Sequence, residues 1–225
     1  MLIQHLSPLA SSLFSLLAIS SLLLSFVMLG SRWLKNYLYA FAASSWTIAA
    51  LSAASAYFGN YAELYFIALL TLVFRGMVLP YFIWRIIRDL DVDREIHEIV
   101  QPSSGLVIGA FFVIFAFAVS VRIADRLGLE QTAVLALTVM LSMNLIGFLM
   151  LAVRHEALSQ ILGLLVVENG IQLGAQILVP GMPLLLELVF LFDLLVVVAC
   201  FGVLISYLRT HAGTTSAFGL KRLVG

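Results

Sequence analysis

Residues 158–179 read LSQILGLLVVENGIQLGAQILV, and Pro180-Gly181 follows at once. These 22 residues are long enough to cross a bilayer as one helix. They are apolar except for a short list of amides, one serine and one carboxylate. Glu168, Gln172 and Gln176 recur at i, i+4 and i+8, with Asn169 beside the line. On a helix these side chains form one stripe from the middle of the membrane towards its far side. Each unsatisfied polar group would cost several kcal/mol in hydrocarbon, so the stripe cannot face lipid. The segment therefore implies both a membrane span and neighbours that cover its polar side.

Six further apolar runs surround it: Leu9–Leu29, Tyr37–Phe58, Leu64–Trp84, Gly105–Val121, Ala133–Val153 and Leu184–Tyr207. The expected fold is an all-α integral membrane bundle of about seven helices. Composition agrees, with 63% hydrophobic residues, 11% charged residues and a mean hydropathy of +1.12. A soluble domain carries about 25% charged residues. The first run lacks a preceding basic residue and exceeds a signal-peptide core, so it reads as a retained helix. The fourth run is the shortest and the weakest support for a count of seven.

Basic residues give the expected orientation. Alternate connections and the tail hold Arg32, Lys35, Arg85, Arg88, Arg94, Arg154, Arg209, Lys221 and Arg222, nine of the twelve Lys and Arg in the chain. The opposite side has Arg122 and Arg126. This bias predicts an N-terminus outside and a C-terminus in the cytoplasm. Trp33 and Trp84 fall beside basic residues at helix ends, where an amphipathic ring is favoured. The extended polar segment, 85–104, keeps helical spacing through Ile83, Ile86, Ile87 and Leu90. It reads either as a solvated overhang of the third helix or as a docking surface for a cytoplasmic partner.

The zero formal net charge gives no sign of nucleic-acid binding. Cys200, the lone cysteine, cannot form an internal disulfide, an iron–sulfur cluster or a structural zinc site. His5, His97, His155 and His211 lie in connections or tails, which disfavours a bis-histidine haem. No nucleophile motif or phosphate loop is present. The expectation is a non-catalytic subunit with no cofactor and no bound metal.

Chemistry in such a chain should lie with charges at mid-span. Arg75 is the twelfth residue of the third run, Glu168 the eleventh of the sixth and Asp193 the tenth of the seventh. An ionised group there costs at least ~2.5–3.5 kcal/mol and turns into the bundle. Glu187 lies nearer the outer end and can reach water. Arg75 can pair with Glu168 or Asp193, leaving the other carboxyl to hold and release a proton. The reading puts Glu168 as the principal proton-exchanging residue, Asp193 as its relay partner and Arg75 as the charge that tunes them. Gln172, Gln176 and Asn169 either hold water on that path or only join helices by hydrogen bonds. A structural ion pair is the alternative for the charges. Gly170 and Gly174 allow a close helix approach, and Pro80 allows a bend after Arg75.

The segment Arg154-His155-Glu156-Ala157-Leu158, the stretch 163–170 and a following span with Asp193 resemble the K subunit of respiratory complex I. In this chain Glu168 stands directly before Asn169, about one turn later than in the K-subunit pattern, and the last-helix carboxylate is aspartate. The whole chain more closely resembles component E of hydrogenase-4, on the Val-Glu-Asn-Gly-Ile stretch at 167–171 and on total length. The resemblance implies an N-terminal region 1–132, with the cytoplasmic loop 85–104, and a K-like region 133–225. It also implies a membrane-arm subunit of a complex-I-like hydrogenase or related redox complex in the inner (cytoplasmic) membrane. Its partners would be antiporter-like subunits, a hydrogenase anchor subunit and a peripheral redox arm on the cytoplasmic side. Three alternatives stand beside it: a structural anchor joining the two arms, a small subunit of a cation/proton antiporter complex, and an unrelated seven-helix receptor or transporter.

Overall fold

The computed structural model describes residues 8–59, 62–89, 101–154 and 157–178, together with 192, 196, 199, 202 and 203. All the regular structure among them is helical. The helices are α1 (Pro8–Gly30), α2 (Leu34–Gly59), α3 (Glu63–Leu70), α4 (Leu79–Asp89), α5 (Pro102–Leu127), α6 (Gln131–Val153) and α7 (Ala157–Leu178). A π-helical segment, Thr71–Val78, joins α3 to α4. Four helical stretches are long and apolar enough to cross a membrane: Leu9–Gly30, Leu64–Arg85, Pro102–Leu127 and Gln131–Val153. α2 and α7 have 26 and 22 residues and carry more polar side chains. Of the seventh run, Phe192, Val196, Ala199, Gly202 and Val203 are described, each helical. Asp193, Glu187, Cys200, the four histidines, the tail from 204 and the segment 90–100 lie outside the described residues.

The fourth run is longer than its apolar length implies. α5 extends from Pro102 to Leu127, against the predicted Gly105–Val121. Pro102 suits the first helical position because its missing N–H needs no intrahelical partner. At the other end the helix continues through Arg122, Asp125 and Arg126, polar residues that a helix carries past the hydrocarbon without breaking. It stops at Gly128, whose φ of 63° is the left-handed cap that glycine adopts freely. The N–H of Leu129 donates back to the Ala124 carbonyl, and α6 starts two residues later.

α2 packs against α1, α7 and the whole α3–π–α4 rod, while α6 packs against α7, α5 and α1. The α6–α7 contact is close because glycines line it. A Cβ at Gly163 would lie 3.0 Å from the Gly147 carbonyl oxygen and the Leu151 nitrogen. A Cβ at Gly174 would meet the Met140 side chain, and one at Gly170 would lie 2.9 Å from Met143. The Gly170/Gly174 pair thus seats α6, as small residues do in membrane helix packing.

Among the described residues, two large apolar clusters fill most of the interior, beside a small third one of Ala56, Leu64 and Ile67. One gathers Phe41, Leu79, Leu165 and Val166. The other gathers Ile48, Leu51, Met143 and Leu173. On α2 the buried residues between them are Ser44 and Ser45, and on α7 they are separated by 168, 169 and 172. A polar layer therefore divides the apolar core midway along the helices. Large apolar side chains point outward on every long helix, among them Leu16, Leu23, Tyr65, Leu69, Phe111, Ile114 and Phe148. That surface suits a hydrocarbon solvent.

Candidate functional site

The polar layer is built from three elements. Arg75 comes from the π segment and is 2% exposed. Its Nη2 donates to Glu168 Oε2 at 2.5 Å, forming an ion pair. Its Nη1 donates to Asn169 Oδ1 at 3.2 Å and also to Gln172 Oε1. The amides pass the connection outward. Asn169 Nδ2 donates to Ser44 Oγ on α2 at 3.4 Å, and Gln172 Nε2 donates to Thr71 Oγ1 at 2.9 Å. Ser44, Thr71 and Asn169 are fully buried, Gln172 is 5% exposed and the Glu168 side chain is 14% exposed. Glu168 is thus the member of the network with a partial opening to the surface.

The π segment accounts for part of this geometry. It ends at Val78, two residues before Pro80, and the N–H of the capping Leu79 donates to the Phe74 carbonyl five residues back. Pro80 has no N–H to continue the ladder, so a change of hydrogen-bond register is cheap here. The sequence allows a bend at this point, and the structure has a wider helical register across Arg75. π-helical turns are rare and recur at functional sites.

Four of the six predicted site residues meet directly: Arg75, Glu168, Asn169 and Gln172. Among the described residues the carboxylate that pairs with Arg75 is Glu168. Gln176 continues the stripe and is buried, yet neither of its amide atoms has a hydrogen-bond partner among the described residues. Asn144 Oδ1 on α6 is in the same position. It lies 3.2 Å from where a Cβ on Gly170 would stand. Asp193 lies outside the described residues. Sequence reasoning missed Thr71, Ser44 and Asn144. Thr71 had a signal in its position one turn before Arg75, whereas Ser44 is one of several serines on α2 with nothing to single it out.

A second buried cation sits at the end of α6. Arg154 counts in the sequence as a connection charge, but it is 1% exposed. Its guanidinium lies 5.1 Å from the centre of the Tyr37 ring, and its Nη2 donates to the Met28 carbonyl at 3.0 Å. The hydroxyl of Tyr37 donates to the Leu162 carbonyl. This cluster ties α1, α2, α6 and α7 together at one end of the bundle. A cation at the last turn of α1 also complements that helix's dipole.

Apolar helices of spanning length around a buried, hydrogen-bonded ion pair define the class: a polytopic α-helical membrane protein with a charged network in its core. The sequence is 30% identical over 159 residues to the uncharacterized protein Rv0085 of Mycobacterium tuberculosis (strain ATCC 25618 / H37Rv), covering 70% of this chain and 71% of that protein. The chain belongs to the family of that protein. No family model matches the sequence, and no solved structure matches it.

Proposed function

We propose that this chain is a membrane-arm subunit of a complex-I-like hydrogenase or related redox complex, in which the Arg75–Glu168 network forms part of a proton path. The carrying observation is the network itself: a carboxylate, a guanidinium, two amides and two hydroxyls joined across three helices inside an apolar bundle. A group that only glued helices would not need a charge at that depth. Glu168 is the partly exposed member, placed to exchange a proton, and Arg75 is the charge set against it. Gln176 and Asn144 offer buried polar atoms along the same face, suited to holding water between the network and one side of the bundle. Asp193 is the proposed relay partner. The topology in this reading is seven spans in the inner (cytoplasmic) membrane, N-terminus out and C-terminus in. The hydrogenase assignment rests on the resemblance of 167–171 and of the overall length.

One observation favours a second reading, the structural anchor. The Glu168 carboxylate is held by Arg75, and α7 is locked onto α6 through glycines. A buried ion pair that joins helices serves an anchor as well as a relay. Mild-detergent purification of the tagged full chain from its native membrane, followed by mass spectrometry, tests the assignment. Co-purification of antiporter-like membrane subunits and a nickel–iron hydrogenase large subunit is expected. Recovery of the chain free of redox or antiporter-like partners overturns it.

A further inference from the structure

A groove of about 440 Å³ opens on the outer surface where α2 meets the π segment and α4. Its volume falls in the range of small-molecule sites. Of its lining side chains only Lys35 is charged. Lys35 stands at one end, with its Nζ 5.9 Å from the centres of both the Tyr39 and the Trp84 rings. Two cation–π contacts hold the ammonium at the mouth of the groove. It has no carboxylate partner among the described residues. It also lies in the first turn of the 26-residue helix α2, where the helix dipole favours an anion. The other end is closed by Trp46 against Gly76. A Cβ on Gly76 would lie 2.5 Å from the Trp46 indole, so glycine is what allows the ring to seat there.

The length of the groove indicates what fits it. Lys35 and Trp46 are eleven residues apart on one helix. At ~1.5 Å per residue that is roughly 16 Å, about half the ~30 Å hydrocarbon core. A groove for a docking helix would run the full thickness of the membrane. This one begins at a cation beside interfacial aromatics and ends near mid-depth, which is the reach of one acyl chain in one leaflet. We propose that the groove is a phospholipid site, holding one acyl chain of an anionic lipid between α2 and α4 with its phosphate at Lys35. The bound chain would lie against Gly76, next in sequence to Arg75, so its occupancy bears on the π segment that carries the buried network.

Native mass spectrometry of the full chain in mild detergent tests this, after incubation with phosphatidylglycerol or with phosphatidylcholine of the same chains. One retained phosphatidylglycerol per chain is expected, in excess over phosphatidylcholine. Lys35→Gln should lower that preference roughly five-fold, the worth of one basic residue at an anionic surface. Ala43→Phe, which fills the middle of the groove, should abolish retention of both lipids. Ala42→Phe blocks the same groove if the first variant is not monodisperse. Glycerol 3-phosphate, a headgroup without chains, should neither bind nor compete. Retention of lipid by the blocked variants, equal retention of the two lipids by the unmodified chain, or competition by glycerol 3-phosphate would each overturn the proposal.

Discussion

Replacing Arg75 with leucine removes the one guanidinium that touches Glu168, Asn169 and Gln172 together. The arginine is 2% exposed and the Glu168 side chain 14% exposed, so water replaces little of what is lost. Breaking a buried ion pair by deleting one partner costs about 3–5 kcal/mol, because the other charge is left uncompensated. Gln172 keeps its bond to Thr71 and Asn169 its bond to Ser44, so the amides lose only their acceptor contacts. For a chain of this size ~1 kcal/mol moves a thermal midpoint by about 2–4 °C, so a fall on the order of 10 °C is expected. The assay is thermal unfolding of the purified full chain in one detergent, followed by fluorescence-detected gel filtration. The Arg75→Leu/Glu168→Leu double variant removes both charges and should recover much of the loss. An Arg75→Leu midpoint equal to that of the unmodified chain would refute the reasoning. So would a double variant whose loss equals the sum of the two single losses.

Gly163→Leu places a side chain against the backbone of Gly147 and Leu151 and should push α6 from α7, with little monodisperse protein recovered. Gly105→Ala is the matched control, since its nearest neighbour is Leu29 Cδ1 at 4.0 Å, and its yield should be unchanged. Tyr37→Phe removes the hydroxyl's hydrogen bond to the Leu162 carbonyl while keeping the ring beneath Arg154, and should cost about 0.5–1.5 kcal/mol in the same thermal assay. Reporter fusions at His5 and Gly225 should report opposite sides of the membrane, outside and cytoplasmic; both ends on one side would exclude seven spans.

The membrane class and the centre of the site were legible for the same reason. Polar groups inside a 22-residue apolar run have no solvent to turn to, so Glu168, Asn169 and Gln172 had to meet something polar within the bundle. Arg75 was the matching charge at the matching depth. The hydroxyl members were not legible. Ser52, Thr138 and Ser142 bond to carbonyls four residues back on their own helices, so a serine or threonine in such a run does not reveal whether it has a partner on another helix. Nor was the π register legible, since over eight residues its period is not distinct from that of an α-helix in a uniformly apolar pattern. Arg154 misled for a related reason. A basic residue at a helix end looks solvated, but a short α6–α7 connection and the ring of Tyr37 draw it inside. The ends of α5 were underestimated because its last turns carry two arginines and an aspartate beyond the apolar stretch.

The most direct test of the proton-path reading is the number of protons moved per redox turnover in membrane vesicles carrying the assembled complex, compared between the unmodified chain and Glu168→Gln. Glutamine keeps the shape of the side chain and an oxygen to accept from Arg75, while removing the group that titrates. The expected result is a complex that assembles normally and translocates fewer protons per turnover. Normal assembly with turnover and translocation both at the unmodified level would contradict the account and leave the network as a structural tie.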